Sequence, residues 1–176
     1  MKWMQLVLDF LRPEPARPTR TRSKQPRPAA KRTRSAGTGK RAERQARYDA
    51  LVEAMKARYG FRVRRWRRSM SGCAWELLYR DGRRQAMLES PYPKSPLSCA
   101  IFLHEVGHHA IGLGAVKPRC LEEWRAWQWS LAAMEEHGLE IDVKVRDRVR
   151  RSMEYAVAKA SRRGIRSVPE ELRRFT

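Results

Sequence analysis

Between Arg12 and Arg47 runs a stretch without an aromatic residue and without Val, Ile, Leu or Met: "RPEPARPTRTRSKQPRPAAKRTRSAGTGKRAERQAR". It holds 13 Lys/Arg against two acids, Glu14 and Glu43. Such a segment has too little apolar area to offset the entropy of ordering its backbone, so disorder is the expectation. Pro13, Pro15, Pro18, Pro26 and Pro28 also exclude a continuous helix through its first half. The stretch therefore confines a folded domain to residues 48–176, with a short apolar segment, 1–11, left in front of a basic arm, 12–47.

The arm dominates the electrostatics of a 176-residue chain of net charge +20 and pI near 11.1. A charge of this size implies an anionic partner, nucleic acid before acidic lipid. Arg20, Arg22, Lys24, Arg27, Lys31, Arg32, Arg34, Lys40 and Arg41 are the expected phosphate contacts. They would bind by counterion release and without sequence preference; the alternative is a solvated tail. No apolar run approaches the roughly 20 residues needed to cross a bilayer, so no membrane partner is expected. Cys73, Cys99 and Cys120 are odd in number and at no ligand spacing, which favours a reducing compartment. The start, "MKWMQLVLDFL", has a short apolar stretch containing Asp9 and no small-residue cleavage site after it, so a cytoplasmic location is expected.

In residues 3–11 the apolar side chains crowd every face of a helix. Packing on the chain's own core is the favoured reading, and docking on another protein is the alternative. Gln5-Leu6-Val7-Leu8-Asp9-Phe10 resembles the Gln-Leu-x-Leu-x-Leu peptide with which bacterial proteins bind the replication sliding clamp, departing from it at Phe10.

From Tyr48 the pattern becomes globular. "RYDALVEAMKARYG" predicts a helix with Leu51, Ala54, Met55 and Tyr59 on one face, closed by Gly60. "FRVRRWRR", "CAWELLYR" and "RRQAMLES" predict three strands, the last two joined by a two-residue hairpin at Asp81-Gly82. Ser95-Pro96 marks a helix start over about 96–111. Further helices are expected over about 119–137 and about 143–163, with Ser167 to Glu170 capping a short last one. The order predicts an α+β domain: a three-stranded antiparallel sheet with helices packed on one face.

Three of the chain's four histidines lie in "AIFLHEVGHHAIGLG". On a helix His104 and His108 project from one face a turn apart, where two imidazoles can share one zinc ion. Glu105 lies to the side, within reach of a water on that zinc, as the general base of a His-Glu-x-x-His site. The competing reading is a pair of structural histidines near a helix C-terminus. Apolar residues before the motif argue against it, and Gly107, unfavourable within a helix, needs a reason such as close approach of another element. Catalytic zinc takes three protein ligands. Glu122 and Glu123, opening the next helix, both qualify, and Cys120 is a lesser alternative.

These residues resemble a zincin metallopeptidase of the glutamate-ligand (gluzincin) type, similar in outline to the ImmA/IrrE-like group. In that group the motif is followed by a helix carrying Glu-x-x-Ala-Asn-x-Phe-Ala. Here Glu123-Trp124-Arg125-Ala126-Trp127-Gln128-Trp129-Ser130 matches at Glu123 and Ala126, has an aromatic at Trp129, and departs at Trp127 and Ser130. The resemblance covers roughly residues 85–135. It implies a minimal zincin-like domain, Glu123 as third ligand, and hydrolysis of peptide bonds in a protein or peptide substrate. It also makes "RQAMLES" a candidate for the edge strand on which substrate lies, with an ordinary sheet strand as the alternative. His137 and Tyr155 are candidates to stabilise the oxyanion, with His109 as an outsider. A zinc metallopeptidase acting near nucleic acid through its arm is the leading expectation. The alternatives are a nucleic-acid-binding protein with structural zinc and a phage or mobile-element interaction protein using a zincin core as scaffold.

Overall fold

The computed structural model of the chain describes residues 35–176. The segment 1–11 and most of the arm lie outside the described residues. The chain divides at Arg44–Gln45 into two units, and the second holds the sheet, the later helices and the candidate site.

Helix α1 spans Ser35–Tyr59, so the expected boundary at Tyr48 falls inside a helix rather than at its start. Residues 39–44 are exposed, so this extension follows local helix propensity, with Ala, Lys, Arg, Glu and Gln abundant after Gly39. The buried face of α1 is Tyr48, Leu51, Val52 and Met55; Ala54 points to solvent, and Tyr59 is half-buried with its ring edge-on to Trp129 at 5.6 Å. Gly60, at φ 61°, ends the helix and donates to the Lys56 carbonyl at 2.9 Å.

The strands are β1 (Arg62–Arg67), β2 (Cys73–Leu78) and β3 (Arg84–Pro91). Their order is β1-β3-β2, with β2 antiparallel and β1 parallel to β3, so the sheet is mixed rather than the expected antiparallel meander. Burial explains the order. β3 ends in Leu88, Glu89, Ser90 and Pro91, all buried, and a strand so enclosed takes the centre. β1 carries Arg62, Arg64, Arg65 and Arg67, which only an edge strand can keep solvated. Arg64, Arg65 and Arg67 converge on the buried Glu89 carboxylate at 3.4, 3.7 and 2.8 Å. The hairpin loop is one residue longer than expected. Tyr79 and Arg83 are joined by a backbone bond of 2.9 Å, the Gly82 amide donates to the Tyr79 carbonyl at 3.0 Å, and Gly82 sits at φ 82°. That is a turn followed by a left-handed glycine. The segment 68–72 crosses the C-terminal end of β3 to reach the far edge, bringing Ser71 and Gly72 toward the helices.

Helix α2 (Pro96–Ala110) starts as expected: Ser95 accepts from the Ser98 amide at 3.2 Å, Ser98 accepts from the Ser95 amide at 3.0 Å, and proline follows the cap. Residues 98–108 are buried throughout, because α2 runs between β3 and helix α3 (Arg119–Glu136). Gly107 lets the two helices approach; a Cβ there would stand 2.8 Å from the Ala126 carbonyl oxygen. Helix α4 (Val143–Arg162), capped by Asp142, buries Val145, Val149, Met153 and Val157. A 3-10 turn, Glu170–Phe175, follows Pro169 without a side-chain cap, in place of the expected Ser167 start. Its Leu172 and Phe175 close the core, the latter 5.4 Å from the Trp124 ring.

Candidate metal centre

The centre is assembled where α2 meets the first turns of α3. His104 and His108, 6% and 2% exposed, lie one turn apart with ring centroids 4.8 Å from each other. Across from them Glu123 Oε2 is 3.2 Å from His104 Nε2 and 3.6 Å from His108 Nε2. Zinc–ligand bonds of about 2.0–2.1 Å in a tetrahedron put neighbouring donors about 3.3 Å apart, so these separations suit one shared cation. Among the described residues, His104, His108 and Glu123 form a group whose donor atoms all lie within 4.8 Å of one another. The cluster can therefore hold a metal ion.

The two adjacent glutamates have separate tasks, which the sequence left open. Glu122, fully buried, turns behind the site and places Oε1 3.1 Å from His108 Nδ1, leaving Nε2 to face Glu123. A carboxylate behind a ligating imidazole fixes its orientation and tautomer. Arg119 ties both acids down, donating from Nη1 to Glu122 at 2.9 Å and from Nε to Glu123 at 3.0 Å. His104 is held differently: its ring stacks on Trp127 at 4.1 Å, and its buried Nδ1 has no hydrogen-bond partner.

The electrostatics of His104 and Glu123 suit ligation. Burial pushes His104 down to about 4, so its imidazole stays neutral, the form that can ligate. Burial alone would raise Glu123, but hydrogen bonds with His104 and His108 hold its carboxyl well below the usual range. His108 is also desolvated, yet its contact with Glu123 raises it overall. Glu105 stands apart from the triad, and burial lifts its carboxyl to about 7. Room for that side chain depends on Gly72, where any Cβ would overlap the Glu105 carboxylate.

In front of the triad opens a cavity of about 570 Å³, lined by His104, Glu105 and Glu123 on one side and by α4 on the other. Tyr155 lines it, whereas His137 is exposed at the end of α3 and lies outside it. His109 is turned away, its Nε2 3.0 Å from the Met87 carbonyl and its ring stacked on Phe61. Cys120 reaches the cavity wall but is not in the donor cluster. The chain matches no family model, no curated protein and no solved structure.

One further expectation needs revision. "RQAMLES" is the central strand, hydrogen-bonded on both sides, so no peptide can pair with it; the edge strands are β1 and β2, and Ser71-Gly72, just before β2, line the cavity. Of the nine expected phosphate contacts, Lys40 and Arg41 are exposed on α1, and Arg20, Arg22, Lys24, Arg27, Lys31, Arg32 and Arg34 lie outside the described residues. Arg119, Gly72 and Arg148 went unnoticed in the sequence. Arg148 lines the cavity with its Nε buried and unpartnered; the only early sign was its place in the helical spacing of α4.

Proposed function

We propose that the chain is a zinc-dependent metallopeptidase of the gluzincin kind, acting on protein or peptide substrates near nucleic acid. The observation that carries this reading is the grouping of His104, His108 and Glu123 around one point, with a separate buried carboxyl, Glu105, facing the same open cavity. A purely structural zinc site is closed by four ligands and needs no such carboxyl. Three donors beside a cavity leave a position for chemistry.

A zinc ion held by the triad would supply Lewis-acid polarisation of the scissile carbonyl and acidify water. Glu105 takes a proton from the attacking water as its oxygen adds to the carbonyl carbon. It returns the proton to the amine nitrogen as the C–N bond breaks, a role suited to a carboxyl lifted to about 7. Glu122 and Arg119 keep His108 and Glu123 aimed, and the missing side chain at Gly72 leaves the space that the Glu105 carboxylate occupies.

Glu105→Gln separates base from ligand. Zinc content by elemental analysis should remain at one per chain while peptide hydrolysis falls about 10²–10⁴-fold. Loss of the metal in this variant would make Glu105 a ligand. Retention of hydrolysis would remove the mechanism.

A further inference from the structure

The cavity is cationic on the side away from the triad. Arg148, Arg151, Lys159 and Arg163 follow one face of α4 and the turn after it, and all four line the cavity. The acids nearest to them on α4, Asp147 and Glu154, are both bound to Arg150, at 3.3 and 2.9 Å, and neither reaches the cavity. The carboxylates in the lining are Glu105 and Glu123, both already committed to the centre. Arg148 is the innermost of the four, close enough to feel the charge of Glu105, and its Nε is buried without a hydrogen-bond partner. A guanidinium half withdrawn from water beside an open cavity favours a carboxylate that completes its hydrogen bonds.

We infer that the cleft selects acidic peptides, with Arg148 receiving an Asp or Glu side chain next to the scissile bond and Arg151, Lys159 and Arg163 receiving further carboxylates. The inference rests on the peptidase reading for the word scissile and on the cavity lining for the rest. At 1.5 Å per residue, the face from Arg148 to Arg163 is about 22 Å long, the length of six or seven extended residues. A planar guanidinium matches a carboxylate with two parallel hydrogen bonds. Ile101, Trp127 and Ile165 in the same lining give the cleft the apolar contacts that side chains of a peptide use. Those contacts favour a peptide over a phosphate backbone.

The test uses the full chain carrying Glu105→Gln, with zinc, and fluorescence anisotropy of labelled hexapeptides. One peptide carries Asp and Glu, and its isosteric partner carries Asn and Gln. The acidic peptide should bind at least tenfold tighter. R148Q should cut that preference to under threefold, and R148K, which keeps the charge but loses the fork, should leave it in between. The exposed pair R151Q/R163Q should reduce it several-fold. R65Q removes the same charge on β1, far along the sheet order, and should leave the preference intact. Equal losses in R65Q and R148Q would reduce the effect to net charge and overturn the inference, as would absence of discrimination. Displacement of the peptide by a short single-stranded oligonucleotide, in an Arg148-dependent way, would overturn it in favour of phosphate. Cleavage assays with the unsubstituted chain then separate the two readings. Acidic peptides bound through Arg148 but never cut would end the peptidase reading and leave the cleft specificity standing. Cleavage indifferent to acidic residues would do the reverse.

Discussion

Glu122 and Glu123 are neighbours of identical chemistry, yet only Glu123 faces the Nε2 atoms of both histidines, while Glu122 meets His108 at Nδ1 from behind. Successive residues on a helix point about 100° apart, so the choice depends on how α3 is rotated against α2, which no local pattern encodes. His104 and His108 were legible because their spacing alone places them on one face, with Glu105 beside it. Arg148 was not, because its peculiarity is a buried donor without a partner, a property of tertiary packing. Two substitutions test the residue scale. Glu122→Gln keeps the shape but weakens the hold on His108, and zinc affinity by competition with a chelating dye should fall about 10–100-fold. Gly72→Ala intrudes on the Glu105 carboxylate, a flexible side chain that can swing aside. Its melting temperature should hardly change and its zinc content should persist, while hydrolysis falls because the base is displaced. An alanine variant with full activity would show that Glu105 does not act from the position described.

At the scale of elements, helices were read well and the sheet only in part. Caps and breakers are local signals: Ser95-Pro96 and Gly60 mark helix ends where the chemistry demands them. Strand order is not local. The fact that β3 inserts between β1 and β2 follows from which strand can bear enclosure, a comparison among all three, and adjacency along the chain misled. The Arg80-Asp81-Gly82 loop shows the same limit on a smaller scale, since two-residue and three-residue hairpins share the Asp-Gly signal. The cap itself is testable. Ser95→Ala removes an acceptor for the Ser98 amide and should cost about 0.5–2 kcal/mol, read as a lowered midpoint in urea.

At the scale of the whole molecule, the basic arm sets how binding to nucleic acid should depend on salt. If residues 12–47 engage even six phosphates of duplex DNA, the log–log salt slope is about −5, and tripling the salt weakens binding by roughly two orders of magnitude. Deleting the arm should flatten that slope without abolishing binding, because the β1 arginines remain; an unchanged affinity would leave the arm without this role. The place of the cut matters. Gln45 donates to the Pro93 carbonyl at 3.0 Å, and Asp49 receives the Tyr92 hydroxyl at 2.6 Å, so α1 is tied to the loop leading into α2. A chain starting at residue 35 should melt like the intact one, and one starting at Tyr48 a few degrees lower.

Gly107 has a consequence for how this chain would be handled. Its bare backbone sets how near α2 and α3 lie, and that closeness also sets the gap between the histidine pair and Glu123. Metal occupancy and core cohesion are therefore one thermodynamic quantity seen from two ends. At a free zinc concentration a hundred times the dissociation constant, the folded state gains about 2.7 kcal/mol, so the heat-denaturation midpoint should climb with added zinc and drop in chelator. Gly107→Ala, by wedging against the Ala126 carbonyl, should lower that midpoint and shallow its dependence on zinc together. A purification buffer containing chelator would then select for the weaker, looser form of the protein.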